Sequence, residues 1–177
     1  MTSHQLLASR TGRLFLALWP EAAVQRQLLD HVNRWTWPPQ AARYATTDWH
    51  VTLHFIGSVD ETRCEEIAHQ ALVPFVPFRL VLDQPAVWQR GLAVLCVGEV
   101  PLQLRALWEQ LGNRLQQVGC APDPRPYLPH VTLARHAKGA TPPTTIAPIE
   151  WQVGRYVLAV STGDSGQRYR VIREYCG

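Results

Sequence analysis

Hydrophobic and polar residues follow two different periods along this chain, and together these periods predict both strands and helices. Residues 14–19 are continuously apolar and end at Pro20, a pattern typical of a buried strand. Directly afterwards, Val24, Leu28 and Val32 recur at the spacing of one helix face. The same reasoning predicts strands at residues 14–19, 50–56, 78–82, 92–97, 130–135, 155–161 and 169–175, and helices at residues 21–35, 61–72 and 101–118.

The tetrapeptide His-Val-Thr-Leu occurs twice, at residues 50–53 and again at residues 130–133. The shift that carries the first copy onto the second, here called the repeat offset, also places the strand at residues 14–17 on the strand at residues 94–97. It further places the helix after Pro20 on the helix that begins at Pro101. Self-similarity at a fixed offset indicates a duplicated structural unit. We therefore predict a single domain, residues 1–177, built of two interleaved lobes that each contain a strand, a helix and a motif strand.

Strand geometry predicts that the polar residues of each motif share one face. In the first motif His50, Thr52 and His54 alternate with apolar residues, and in the second His130 and Thr132 do the same. The apolar residues are expected in the core. The polar residues then face a cleft between the two lobes, with the two histidine strands on opposite walls.

Two histidines on opposite sides of one site suit in-line displacement at phosphorus. The attacking oxygen must lose a proton while the leaving oxygen gains one, and an imidazole with an ordinary pKa of about 6.5 can serve either oxygen. The hydroxyls of Thr52 and Thr132 can donate to non-bridging phosphoryl oxygens, although both residues could also serve only as strand formers. Because no Asp or Glu cluster accompanies the histidines, we expect no catalytic metal and activity that resists chelators.

Composition and charge narrow the class of protein. The chain has 177 residues, of which 46% are hydrophobic and 18% charged, as expected for one globular domain. Its formal net charge of +3 is too small for a protein that coats DNA non-specifically. Lys138 is the single lysine among 17 basic residues, so the cations are almost all arginines, which suit bidentate phosphate contacts.

The cysteines and the hydropathy indicate where the protein works. The four cysteines lie far apart without C-x-x-C spacing, so neither a zinc ribbon nor a dithiol motif is predicted. No apolar run approaches the roughly 20 residues that cross a bilayer, and the polar residues 1–12 contain no signal-peptide core. We therefore expect a soluble protein of the reducing cytoplasm, without membrane contact. We also expect a monomer, although the sequence does not decide the oligomeric state.

The paired motifs and their flanks resemble the 2H phosphoesterase superfamily, and more closely its bacterial RNA 2′,3′-cyclic phosphodiesterase branch, also called 2′-5′ RNA ligase. The resemblance covers the opening strand at residues 13–18, the first motif at residues 50–57 and the second motif at residues 129–135. It implies an α+β, bilobal 2H phosphoesterase fold. In that fold two pseudo-symmetric lobes line a central groove with antiparallel sheets and carry their helices outside.

The resemblance also implies an activity and the residues that perform it. The activity is metal-independent and cofactor-independent hydrolysis of a terminal RNA 2′,3′-cyclic phosphate to a 2′-phosphate. His50 would protonate the leaving 3′ oxygen, and His130 would activate water as the general base. Thr52 and Thr132 would bind phosphate oxygens, and Arg135 would support the phosphate. By strict alternation Arg135 faces away from His130, so this role requires the strand to end or bulge there.

Several alternatives stay open at this point. His54 could replace a basic residue that family members often carry there, as a possible substrate contact, or could be a simple face residue. Tyr127, beside the second motif, is a candidate contact for the base. The reverse reaction, 2′-5′ ligation to a 5′-hydroxyl, would use the same two histidines. A phosphodiesterase for another cyclic or 2′-5′ linked nucleotide, or a non-catalytic RNA-binding module, would also carry these motifs.

Overall fold

The computed structural model describes residues 12–177. The sequence predicts no signal peptide in residues 1–12, and of these only Gly12 is among the described residues. The described part holds the following strands: β1 (Arg13–Leu18), β2 (Ala42–Arg43), β3 (Val51–Ser58), β4 (Phe78–Trp88), β5 (Leu92–Val97), β6 (His130–Arg135), β7 (Ile149–Val153), β8 (Arg155–Ser161) and β9 (Tyr169–Cys176). Its helices are α1 (Ala22–Asn33), α2 (Glu61–Gln70) and α3 (Leu102–Gln117).

The strands form one antiparallel sheet whose order is symmetric about its centre. The order is β7-β4-β5-β6-β3-β1-β8-β9, with the short β2 paired to β6. The motif strands β3 and β6 are neighbours, joined through the single pair Val51–Val131. Read outward from this pair, each half contains a motif strand, then the strand matched by the repeat offset, then two more strands. The expectation that the motif strands form opposite walls of a cleft is therefore wrong, because the repeat relates them as antiparallel neighbours.

The helices and one face of the sheet enclose the main core. Helix α3 buries Leu104, Leu107, Leu111 and Leu115 at the spacing that the sequence predicts. These leucines join a single cluster with buried residues of α1, α2 and most strands. Burying each such side chain contributes roughly 1.5–3 kcal/mol. A second, small cluster lies on the opposite face of β1 and β8, where no helix of the described residues joins it. The face of the sheet opposite the helices can therefore line a cleft.

The structure extends several predicted elements. Strand β4 ends at Trp88 instead of at the predicted residue 82. Its additional residues have turn composition but still pair with β5, after a bulge near Asp83 and with Pro85 opposite Leu95. Strand β7 alternates buried and exposed residues but was not predicted, since it follows a proline-rich loop directly. Strand β3 continues through Gly57, whose φ of 97° favours glycine.

Each motif strand contains an extra residue directly after its threonine, which reverses the alternation of its side chains, and β3 contains a second extra residue at Ile56. In β3 the pairing with β1 skips Leu53 after Thr52, and in β6 the pairing with β5 skips Leu133 after Thr132. Such a bulge leaves the extra residue unpaired, so the residues beyond it exchange faces. The repeat offset carries Leu53 onto Leu133, so the two bulges belong to the repeat.

Candidate active site

The polar residues of both motifs lie on the face of the sheet away from the helices. In an antiparallel ladder centred on the valine pair, His50 falls opposite Thr132 and Thr52 falls opposite His130. The valines are completely buried, whereas these four polar residues are partly exposed. The repeat thus brings the two His-x-Thr pairs into one square arrangement, with the histidines at diagonal corners.

Both histidines are anchored by the same local hydrogen bond. The Nδ1–H of His50 donates to the carbonyl oxygen of Asp48 at 2.8 Å, and the Nδ1–H of His130 donates to the carbonyl oxygen of Leu128 at 2.7 Å. A carbonyl oxygen only accepts, so this bond fixes the proton of each neutral ring on Nδ1. The Nε2 atom of each ring is then left to accept or donate a proton during a reaction.

Aromatic rings surround His50. Its ring stacks on Trp19 at a centroid distance of 5.2 Å, and it lies 5.0 Å from the rings of both Phe15 and Tyr169. Burial among these rings lowers the pKa of His50 to about 4, although the bond to the Asp48 carbonyl acts in the opposite direction. The charge of a protonated His130 acts in the same direction as burial. In the absence of a bound anion, His50 is therefore neutral at pH 7.

His130 has a less aromatic environment. The rings of Trp88 and His130 form a T-shaped pair with a centroid distance of 4.5 Å. Burial lowers the pKa of His130, and the hydrogen bond to the Leu128 carbonyl acts in the opposite direction. Both imidazoles thus favour the neutral form, which can accept a proton at Nε2.

A cleft of about 300 Å³ opens over the motif strands. Its size falls in the range of small-molecule sites. The residues that line it come from both halves of the repeat and from the loop before β3: Arg13, Phe15, Tyr44, Asp48, His50, Thr52, Phe55, Thr132, Arg135, Ser161 and Tyr169. His130 is not among these lining residues. The strand register places it beside Thr52, which is.

The bulge at Leu133 turns Arg135 toward the cleft. Leu133 and Ala134 are both buried in sequence, so Arg135 emerges on the same face as Thr132, as its suggested role requires. Its guanidinium lies 5.5 Å from the centre of the Tyr44 ring. A cation in this position can attract the phosphate of a ligand in the cleft.

A second arginine reaches the same side of the cleft. The guanidinium of Arg168 lies 4.6 Å from the centre of the Tyr44 ring, and its Nε lies 3.5 Å from a carboxylate oxygen of Asp48. Arg168 is therefore partly neutralised. None of the ion pairs formed among residues 12–177 involves Arg135.

The structure places His54 away from this cleft, so the expectation that it shares a face with His50 is wrong. The bulge at Leu53 turns His54 toward α3, where only 9% of the residue is exposed. Its Nε2–H donates to the carbonyl oxygen of Trp108 at 2.7 Å, and the two rings stack at 5.2 Å. A role for His54 in direct contact with substrate therefore has no support from its position.

Tyr127 also lies beneath the motif strands instead of lining the cleft. Its ring stacks on Trp108 at 5.0 Å, on the side of the sheet that faces α3. Its hydroxyl is 3.4 Å from the carbonyl oxygen of Thr52. Burial raises the pKa of Tyr127 well above its ordinary value. This placement fits a structural support for the first motif and does not fit the predicted contact with a base.

Sequence reasoning missed most of the cleft wall. Phe15 and Trp19 belong to, or directly follow, a continuously apolar strand that carries no alternation to distinguish core from cleft. Tyr44 comes from the loop before β3 and Tyr169 from β9, and neither residue belongs to a motif or to the repeat pattern. Only the repeat offset pointed to β1 as the neighbour of a motif strand. Nothing local identified which of its side chains reach the cleft.

Two further properties concern metals and membranes. Among residues 12–177, no group of three or more His, Cys, Asp or Glu side chains is placed to hold a metal ion. Within the same residues, no helix is long and apolar enough to cross a membrane.

Comparison with known proteins gives consistent matches over almost the whole chain. A family model described as the 2′-5′ RNA ligase superfamily matches residues 20–165. The RNA 2′,3′-cyclic phosphodiesterase of Escherichia coli K12 is 31% identical over 175 residues, covering 94% of this chain and 97% of the relative.

Solved structures match equally widely. A crystal structure of E. coli LigT complexed with NADP⁺ has a TM-score of 0.80 at 26% identity and covers 95% of this chain and 98% of its own. A structure described as a phosphoesterase has a TM-score of 0.82 at 25% identity, with 94% and 98% covered. The predicted α+β fold, with antiparallel strands and with helices outside, is confirmed by these likenesses.

Proposed function

Because the chain belongs to the 2′-5′ RNA ligase superfamily, we propose that it hydrolyses the 2′,3′-cyclic phosphate at the end of an RNA strand and leaves a 2′-phosphate. The observation that carries this proposal is the pair of imidazoles anchored identically through Nδ1 above one sheet face. Each has an Nε2 left for proton transfer, and two such groups are what attack by water and departure of an alkoxide require.

The reaction assigns opposite proton states to the two histidines. Neutral His130 takes a proton from water through Nε2 as the water oxygen bonds to phosphorus. The bond from phosphorus to the 3′ oxygen breaks, and protonated His50 donates its proton to that oxygen. The product is a 2′-phosphomonoester with a free 3′-hydroxyl. A later proton exchange with solvent restores both histidines.

The remaining groups stabilise charge on the phosphoryl oxygens. The hydroxyls of Thr52 and Thr132 lie beside the histidines and donate to the non-bridging oxygens. The Arg135 guanidinium offsets the negative charge that grows on them in the transition state, an effect typically worth about 10²–10³ in rate per donor. Since the histidines supply both proton transfers, this chemistry needs no metal and no cofactor.

The low pKa of His50 makes protonation part of substrate binding. A pKa of about 4 leaves His50 neutral in the empty cleft at pH 7. The phosphodiester brings a negative charge next to the ring, which favours the imidazolium. His50 therefore takes up its proton as the substrate binds and carries it only while the substrate is present.

Ligation is the reverse of the cleavage of a 2′-5′ linkage and would take place in the same site. A 5′-hydroxyl in the place of water would lose its proton to His130 as its oxygen bonds to phosphorus, and the 3′ oxygen would leave with the proton of His50, so that a 2′-5′ linkage forms. Water at ~55 M competes well against a dilute RNA hydroxyl, and opening the strained ring favours hydrolysis, so we propose hydrolysis as the main activity. The monomeric state and the cytoplasmic location expected from the sequence stay predictions.

The experiment uses an oligoribonucleotide that ends in a 2′,3′-cyclic phosphate, incubated with the protein in EDTA. Phosphorus NMR of the product should show a 2′-phosphate. His50→Ala and His130→Ala should each lower the rate by roughly 10²–10⁴-fold. His69→Ala, which changes an exposed histidine of α2, is the matched control and should keep the full rate. Absence of ring opening in EDTA, or full activity in both motif variants, would overturn the proposal.

A further inference from the structure

One end of the cleft takes no part in the chemistry described above. It is formed by Arg13 of β1, Phe55 of β3 and Ser161 of β8. Along the strands, these residues lie past Thr52 and His130. Arg135 lies at the other end of the cleft, past His50 and Thr132. The end combines an aromatic ring with a cation, which are the two groups that single-stranded nucleic acid binds best.

Phe55 is exposed although it lies inside a central strand. The bulge at Leu53 turns it to the cleft face, where it pairs with Phe15 across the two strands. It is 55% exposed, and among residues 12–177 no ring contact involves it. By the repeat, Phe55 occupies the position that Arg135 holds in the other half. An exposed ring at this position offers a stacking surface to a nucleobase.

Arg13 provides the positive charge at the same end. Its side chain is exposed, and none of the ion pairs within the described part of the chain includes it. Its backbone is held in place, because its amide N–H donates to the hydroxyl of Ser161 at 3.2 Å. A guanidinium without a carboxylate partner on a rigid strand suits a phosphate ligand.

The distance from the catalytic centre indicates which phosphate this is. Arg13 precedes Ala17 in β1 by four residues, and Ala17 pairs with Thr52. At about 3.3 Å per residue this separation is roughly 13 Å. Stacked nucleotides at a rise of about 3.4 Å each would cover it in about four residues, and an extended strand would need fewer. The backbone of Arg13 is therefore separated from the catalytic centre by about the length of a short run of nucleotides, which suits a phosphate upstream in the same strand.

We propose that this end of the cleft binds the nucleotides that precede the cyclic phosphate, with one base stacked on Phe55 and one backbone phosphate bound by Arg13. The inference rests on the proposed function and narrows its substrate to oligoribonucleotides, in preference to cyclic mononucleotides. Ser161 positions Arg13 in this arrangement through the backbone bond already described.

The experiment compares two substrates in each variant: a tetranucleotide that ends in a 2′,3′-cyclic phosphate and adenosine 2′,3′-cyclic monophosphate. We measure the ratio of kcat/KM for the tetranucleotide to kcat/KM for the mononucleotide. Arg13→Gln and Phe55→Leu should each lower this ratio by roughly 10-fold, the size expected for losing one stacking or phosphate contact. Phe55→Tyr keeps the ring and should preserve the ratio. For Arg13→Gln, the slope of log(kcat/KM) against log salt should also fall by about 0.7 for the tetranucleotide.

Arg105→Gln is the matched control, because Arg105 is an exposed arginine of α3 on the other side of the sheet. It should leave the ratio and the salt slope unchanged. An unchanged ratio in both Arg13→Gln and Phe55→Leu, or an equal loss in Arg105→Gln, overturns the inference. Failure of the unsubstituted protein to open either substrate instead overturns the proposed function, so the two failures are distinguishable.

Discussion

Binding of an anion in the cleft should raise the pKa of His50 by several units. The perturbation is the addition of sulfate, which remains ionised throughout the titration and resembles a phosphoryl group in shape and charge. In the unoccupied protein, burial lowers the pKa of His50 from 6.5 to about 4. One pKa unit corresponds to about 1.4 kcal/mol, so the empty cleft disfavours the imidazolium by roughly 3 kcal/mol.

The charge of the anion offsets this penalty. One unit of negative charge about 4 Å from the ring interacts by about 4 kcal/mol at an effective dielectric constant of 20. Converted at the same rate, this raises the pKa by roughly 3 units. The expected pKa of His50 with sulfate bound is therefore roughly 7, which is close to the pH at which a general acid works best.

The assay is a ¹H–¹³C NMR titration of the histidine Cε1 resonances with and without saturating sulfate. His50→Gln identifies the His50 resonance, and sodium chloride at matched ionic strength controls for general screening. The same linkage predicts that sulfate binds more tightly as the pH falls from 7 toward 4, by nearly tenfold per pH unit, because the complex then holds one more proton than the free protein.

Two results would refute this reasoning. Titration of His50 near 6.5 in the absence of sulfate would mean that the surrounding rings do not exclude water. A rise of less than about one pH unit with sulfate would mean that the cleft does not hold an anion beside this imidazole.

Three further outcomes follow from other contacts, two in the cleft and one in the core. Trp19→Leu removes the ring stacked on His50 and should raise the pKa of His50 from about 4 toward 6.5 without an anion; the NMR titration measures this, and an unchanged value would contradict it. Arg135→Gln should lower kcat for the cyclic phosphate by about 10²-fold, with partial recovery in Arg135→Lys; equal rates in steady-state kinetics would remove Arg135 from the mechanism. Tyr156→Phe leaves the buried carbonyl of Ala71 without its hydroxyl donor at 2.7 Å and should cost about 1–3 kcal/mol of unfolding free energy, measured in urea; an unchanged urea midpoint would contradict this.

The repeat made much of the fold predictable from the sequence. Because His-Val-Thr-Leu recurs and its flanks recur at the same offset, the motif strands, the preceding helices and the strands before them could be matched in pairs. The central position of β3 and β6, and the order of the strands outward from them, follow this pairing. The edge strand β7 could not be predicted from the sequence. It pairs with β4, which is distant in the chain, and the repeat offset matches it to no other strand.

The faces of the motif strands were predictable only as far as the bulges. Alternation correctly placed Thr52 and Thr132 with the histidines, but it assigned His54 to the cleft and Arg135 to the core side. Each error in alternation comes from one extra residue, Leu53 or Leu133. A bulge depends on pairing with a neighbouring strand, and single-strand periodicity contains no record of that pairing. The need for a bulge before Arg135 could be stated in advance, whereas the corresponding one before His54 could not.

The proposed hydrolysis requires different proton states of the two histidines in a site that the repeat makes nearly symmetric. The two histidines have the same anchor, yet one must bind a proton while the other must not. Their surroundings differ: within residues 12–177, three aromatic rings enclose His50, whereas the ring of Trp88 is the one that contacts His130. The bulges also expose different residues, Phe55 in one half and Arg135 in the other. We infer that these differences between the two halves of the repeat assign the acid and the base to different histidines. A histidine whose pKa is held near 4 gains its proton only when an anion lies beside it.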